Sequence, residues 1–180
     1  SLSCASLPGR RVRHTMANAL ICRSLNAALV PSKEEPEHLS RDDGKRPDGV
    51  TMIPWSKGKC AVWDFTCGHP LAPSNIAKAL QSTAAIANAR ETFKWNHYQN
   101  FKKEYEVIPV GVETMGAFGN SALKFLTDIG NRLALKTGEP RAGQFLQQSM
   151  AMCIQKGNAA CLMGTLDNAG VEVFEEFEEF

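Results

Sequence analysis

No stretch of this 180-residue chain is both long and apolar enough to span a bilayer, because charges interrupt every apolar segment well before the ~20 residues such a helix needs. The first residues lack the apolar core of a secretory leader, so an intracellular protein with no membrane partner is expected. Cys-x-x-Cys is absent as well. The six cysteines, at 4, 22, 60, 67, 153 and 161, are scattered through apolar or helical contexts, which is the pattern of reduced, buried thiols. Cys60 and Cys67 lie seven residues apart along one predicted strand and so point to opposite faces, which discounts a zinc site with His69. After the glycines of MGAFG no Lys-Ser/Thr opens a helix, so no phosphate loop and no small-molecule cofactor are expected.

An excess of one charge is also missing, since 20 Lys and Arg face 19 Asp and Glu and leave +1. The balance is uneven along the chain: five Glu lie within 172–180, and residues 1–171 alone stand at +6. Arg10, Arg11, Arg13 and Arg23 concentrate positive potential near the start, which suits a polyanionic partner, although a solvated basic face is the commoner meaning. With 43% hydrophobic and 22% charged residues the composition is that of an ordinary globular domain.

Residues 1–12 combine Ser, Pro and Gly without a sustained period and read as a linker. Over 13–29, Met16, Leu20, Ile21, Leu25 and Leu29 recur at helical spacing until Pro31 stops the run. A polar connection over 31–47 leads to a hairpin with strands at about 49–54 and 59–66 and a loop centred near Ser56; the second strand, apolar on both sides, is predicted to be central in its sheet. A long Ala-rich helix, with a break allowed near Trp95, is predicted from Pro73 to about Lys103, then a strand over 106–112 whose Pro109 favours a sheet edge or a bulge. Two helices follow: one over 121–136, capped by Asn120, striped with Leu123, Leu126, Ile129 and Leu133 and ended by Gly138, and one over 140–163 with Phe145, Met152 and Ile154 buried. The acidic, aromatic segment 165–180 is expected to be disordered. The sum is an α/β or α+β domain over 13–164, with a small mixed sheet and a central hairpin flanked by helices.

A functional site is predicted at the hairpin. If it closes near Ser56, positions summing to 112 face each other and Asp48 stands opposite Asp64. Opposed Cβ atoms lie ~5 Å apart, too close for two uncompensated carboxylates but suited to a shared divalent cation. Pro47-Asp48-Gly49 is also ordinary turn chemistry. A carboxylate between Trp63 and Phe65 needs a cation or donors, and an arginine partner would serve a structural Asp64 equally well.

The elements RVRHTMANALICRSL, EEP, DGKRPDGVTMIPW, VWDFTC, IPVGVETMGAFG and QKGNAA, spread in order over roughly residues 3–165, together resemble the C-terminal restriction-like endonuclease region of non-LTR retrotransposon reverse transcriptases. GKRPDG and WD-x-TC are the most specific of them. The resemblance implies the PD-(D/E)xK fold, a mixed sheet flanked by helices, and Mg²⁺- or Mn²⁺-dependent nicking of target DNA to prime reverse transcription. It implies that Asp48 and Asp64 are the acidic ligands, that Glu35 of the EP element is an additional one, and that Arg13, His14 and Arg46 contact DNA. The position two residues after the second acid is Thr66, as in that family, which takes its lysine from the following helix in a K-x-x-K-Y pattern. Here the helix reads Lys94-Trp95-Asn96-His97-Tyr98, which implies Lys94 as catalytic lysine beside Tyr98, with His97 in place of the second lysine. Residues 1–12, with Cys4, resemble the end of an upstream zinc knuckle, so the chain, which begins with Ser, is expected to be part of a longer polyprotein. Element RNA, met through upstream domains, and a nuclear location are further implications. Two alternatives stand beside the nuclease: a silent nucleic-acid-binding remnant of the same fold, and an adaptor that docks through its acidic tail.

Overall fold

The computed structural model describes residues 8–37, 39 and 46–164. Cys4 and the acidic tail lie outside them. The described chain forms five α-helices and a four-stranded mixed sheet, an α+β arrangement. In order these are α1 (Pro8–Ala27), β1 (Ser32–Glu34), β2 (Gly49–Thr51), β3 (Ala61–Gly68), α2 (Ile76–Ala79), α3 (Ala85–His97), β4 (Glu106–Glu113), α4 (Asn120–Thr137) and α5 (Ala142–Met163), with a 3₁₀ segment at Gln99–Lys103 before β4. The sheet runs β1-β2-β3-β4; β2 is antiparallel to both its neighbours, whereas β4 lies parallel to β3 at one edge, where Pro109 is tolerated.

The doubly apolar β3 is covered on both faces. Ala61, Trp63 and Phe65 pack with Ile108, Val110 and Val112 of β4 against Ile21 and Leu25 of α1, Phe125, Leu126 and Ile129 of α4, and Met150 and Ile154 of α5. On the opposite face, Val62 and Val107 meet Val50 and Tyr98. Period-2 alternation therefore sends Asp64 and Thr66 to the α3 face. An added Cβ at Gly111 would lie 2.7 Å from the Ala87 carbonyl oxygen, so glycine here lets α3 lie low over β4.

Several boundaries depart from the sequence expectations for identifiable reasons. The first helix begins at Pro8, not 13, since proline suits the first helical position. It ends at Ala27, before Pro31: Leu29 takes a positive φ of 59°, and Asn26 Oδ1 accepts the Ser32 N–H at 3.0 Å. The long helix expected over 73–103 is three pieces. Ala84 is left-handed, with φ 59°, and α3 begins where the buried Glu113 accepts the Ile86 and Ala87 N–H groups at 3.0 and 3.3 Å. Asn120 does not cap α4 with its side chain, and Leu123 faces out, as do Phe145 and Met152 on α5; the buried α5 face is carried instead by Leu146, Met150, Cys153 and Ile154. Gly138 does end α4, at φ 74°.

In the hairpin the predicted register holds, with Gly49 opposite Trp63 and Val50 opposite Val62. Its tip lies further on than Ser56, at Lys57 and Gly58, both with positive φ, inside a Ser56–Lys59 bridge. Two side chains bracket the short β2: Thr51 Oγ1 accepts the Ala61 N–H at 2.9 Å, and Asp48 Oδ2 accepts the Phe65 N–H at 2.6 Å.

Candidate functional site

Asp64 sits mid-strand on β3, 8% exposed in its side chain. Lys94 Nζ lies 2.6 Å from its Oδ1, and the Tyr98 hydroxyl donates to its Oδ2 at 2.5 Å. Lys94 and Tyr98 are four residues apart and so share one stripe of α3 and its C-cap, the stripe that lies on the sheet. Burial is the main cause that raises the Asp64 pKa; the Asp48 charge adds to it, and Lys94 opposes both.

Asp48 precedes β2, and its carboxylate continues the sheet ladder rather than standing out from one face as predicted. The same Oδ2 lies 3.1 Å from His14 Nε2 of α1, and the His14 ring meets Phe65 edge-on. His14 Nδ1 lies 3.3 Å from Asn18 Nδ2, and Asn18 Oδ1 accepts from the buried Trp63 Nε1 at 3.1 Å. An added Cβ at Gly49 would fall 2.0 Å from the Trp63 ring, so glycine after Asp48 leaves room for that indole. The hydrogen bond to Asp48 raises the His14 pKa against the opposing effect of burial, and the charges of Asp64 and Lys94 also reach His14. Asp48, Asp64, His14 and Lys94 thus form one electrostatic cluster drawn from α1, the start of β2, β3 and α3.

The cluster sets a pH dependence. A raised His14 pKa means that its stabilising contribution is complete below the ordinary value of 6.5 and is lost as pH rises through the folded value. Asp64, also raised, holds its proton more tightly when folded, so stability again falls as pH rises past the ordinary carboxylate value. Melting temperature is therefore expected to decline from pH 6 towards pH 8, and His14→Gln is expected to flatten that decline. An unchanged slope in the variant would refute the coupling.

The other predicted site residues divide. Arg13 requires correction: it is 2% exposed, and its Nη1 donates to Asn158 Oδ1 at 3.0 Å and lies 3.3 Å from Cys161 Sγ, so it ties α1 to α5 rather than facing a DNA backbone. Glu35 follows β1 in a left-handed conformation, φ 44°, which turns its 73%-exposed carboxylate to Arg46 at 3.0 Å and not to the aspartates. Arg46 is exposed in that pair. The preceding Glu34 is the acid that burial perturbs upwards, within reach of the Asp48 and His14 charges. Its place one residue earlier in the EEP element was a signal that sequence reading passed over. Asn18 was missed as well, for want of any local pattern. Among the described residues, no three His, Cys, Asp or Glu side chains converge as a ready-made metal cage. Compared with known proteins, the chain matches no protein-family model and no curated protein.

Proposed function

We propose that this domain is a divalent-metal-dependent DNA endonuclease of the PD-(D/E)xK type that nicks target DNA for a retroelement reverse transcriptase. The observation that carries the reading is the Lys94–Asp64 contact at 2.6 Å with the Asp48 charge beside it, an acid pair and a lysine brought together from separate elements. Two carboxylates suit Mg²⁺ or Mn²⁺, which binds through one or two such groups and completes its shell with water and substrate phosphate. Burial is the main cause that raises Asp64, and the repulsion from the Asp48 charge that adds to it is what a shared cation relieves. Asp48 and Asp64 would hold that ion, which supplies charge neutralisation at the phosphate and a more acidic water.

The chain's own groups do the rest. Lys94, partly exposed at the rim, steadies negative charge developing on the phosphoryl oxygens. Tyr98 fixes the rotamer of Asp64, and His14 with the Phe65 N–H fixes Asp48. His97, where a second lysine is implied, is turned away to the Phe93 carbonyl oxygen at 2.8 Å and takes no part in the Asp64 pair. DNA is the partner in this reading, with element RNA reached through upstream domains and the nucleus as the place of action. No helix of the described residues is long and apolar enough to cross a membrane.

The test is nicking of supercoiled plasmid with Mg²⁺ or Mn²⁺. Wild type is expected to convert it to open circle, and Asp64→Asn to lose at least about 100-fold in rate. A wild type that never nicks under either metal would sink the proposal. That outcome would favour a nucleic-acid-binding remnant, a reading supported by the fact that both Asp64 oxygens already have partners inside the protein.

A further inference from the structure

The twelve residues from Thr92 to Lys103 hold three lysines and four Phe, Trp or Tyr residues and no acid. Tyr98 turns inward, but Phe93 and Trp95 remain 59% and 41% exposed although each lies within two residues of Lys94. Phe93 and His97, one turn apart, form a tilted stack with centroids 4.0 Å apart. Lys102 holds its ammonium 3.6 Å from the Trp95 ring centre, and the Lys102 carbonyl accepts from Lys59 Nζ at 2.7 Å, which ties the 3₁₀ segment to the hairpin.

The position of the stack follows from helix geometry. Glu91 marks the side of α3 that faces α4, because it accepts the Ser121 and Ala122 N–H groups. Turning from Glu91 away from α4 at about 100° per residue, one meets Tyr98, then Lys94, then His97 about 60° beyond Lys94, then Phe93. The stacked rings therefore border Lys94 on the flank that α4 leaves open. Trp95 falls on the other flank.

We infer that Phe93 and His97 form a stacking platform for an unpaired base of a DNA strand beside the Asp64–Lys94 site. The inference rests on the nuclease reading for its choice of DNA and deepens it, naming a strand with unpaired bases as the substrate. Exposed aromatic faces interleaved with cations, with no acid among them, are complementary to single strands, whose bases offer π-faces to stack and whose backbone is anionic. A duplex buries those π-faces and offers the platform nothing but charge.

The test is binding without metal, in EDTA, of a 2-aminopurine-labelled single strand, the same sequence as a duplex, and the same sequence as RNA. Wild type is expected to prefer the DNA single strand and to change the probe's fluorescence. Phe93→Ala combined with His97→Ala should lower single-strand affinity about tenfold and duplex affinity less than about twofold. Phe93→Trp should retain the preference, since it retains a stacking face, and would show that the loss is not one of folding. Equal weakening of both DNA forms, or no weakening, would overturn the platform. RNA bound as tightly as DNA would overturn the assignment to DNA. Because no cleavage is read, a protein that shows the preference but never nicks plasmid keeps the platform and loses the nuclease, whereas one that nicks without the preference does the reverse.

Discussion

Lys94→Ala lowers the unfolding free energy by about 3 kcal/mol at pH 8, a large share of what a domain of this size possesses. The reason is the carboxylate left behind rather than the contact removed. Asp64 is 8% exposed and raised in pKa even with Lys94 in place, so without the ammonium only Tyr98 supports its charge. Its pKa then rises further, and the penalty is greatest at high pH and shrinks as pH falls towards the ordinary carboxylate value, where Asp64 takes up a proton and the buried charge disappears. Asp64→Asn combined with Lys94→Met removes both charges and keeps most of the volume, so the double variant should recover most of the lost stability. Urea unfolding of the three proteins at pH 5 and pH 8 measures this. A loss below about 1 kcal/mol at pH 8, in the range of exposed ion pairs, would contradict it.

A second large effect is expected far from the acids. Glu91→Ala should cost about 3 to 5 kcal/mol, because the buried Glu91 carboxylate alone accepts the Gly111, Ser121 and Ala122 N–H groups at 3.1, 2.9 and 2.8 Å. Its truncation strands one donor of the edge strand and two at the start of α4, a helix with no side-chain cap of its own. Gly119 is part of the same fit, since an added Cβ there would lie 2.3 Å from Glu91 Oε1. Glu91→Gln keeps an acceptor oxygen and should cost about half as much. Equilibrium unfolding reads both, and a loss under about 1 kcal/mol for the alanine variant would show that water replaces the carboxylate.

These two residues also mark what the sequence could and could not disclose. The apolar residues on both faces of VWDFT placed Asp64 correctly on a central strand, and the 112 register holds in the hairpin that leads back to Asp48. The resemblance implied Lys94 as a catalytic lysine beside Tyr98; that both side chains meet Asp64 is seen only in the fold, where the i,i+4 stripe of α3 lies on the sheet. Glu91 and Glu113 were illegible because each caps a helix distant in sequence, one from a helix interior and the other from a strand end. Neither looks like a cap locally, which is also why Asn120 was credited with Glu91's role and the break at Ala84 went unseen. Arg13 was misread because a basic residue on an amphipathic helix is ordinarily exposed, and partners distant in sequence, Asn158 and Cys161 on α5 among them, make its burial tolerable.

The two acids of the site stand on ground of unequal strength. Asp64 belongs to an eight-residue strand paired along its whole length with β4, whereas Asp48 precedes a three-residue strand bracketed by two side-chain acceptors, with another three-residue strand outside it. Sub-global opening of β1 and β2 would separate the acids while the β3–β4 pair and its helices stay folded. Amide hydrogens of Val50 and Phe65 should then exchange well before those of Val110 and Val112. Whatever steadies Asp48 governs how often the two acids stand together, and so governs readiness independently of global unfolding.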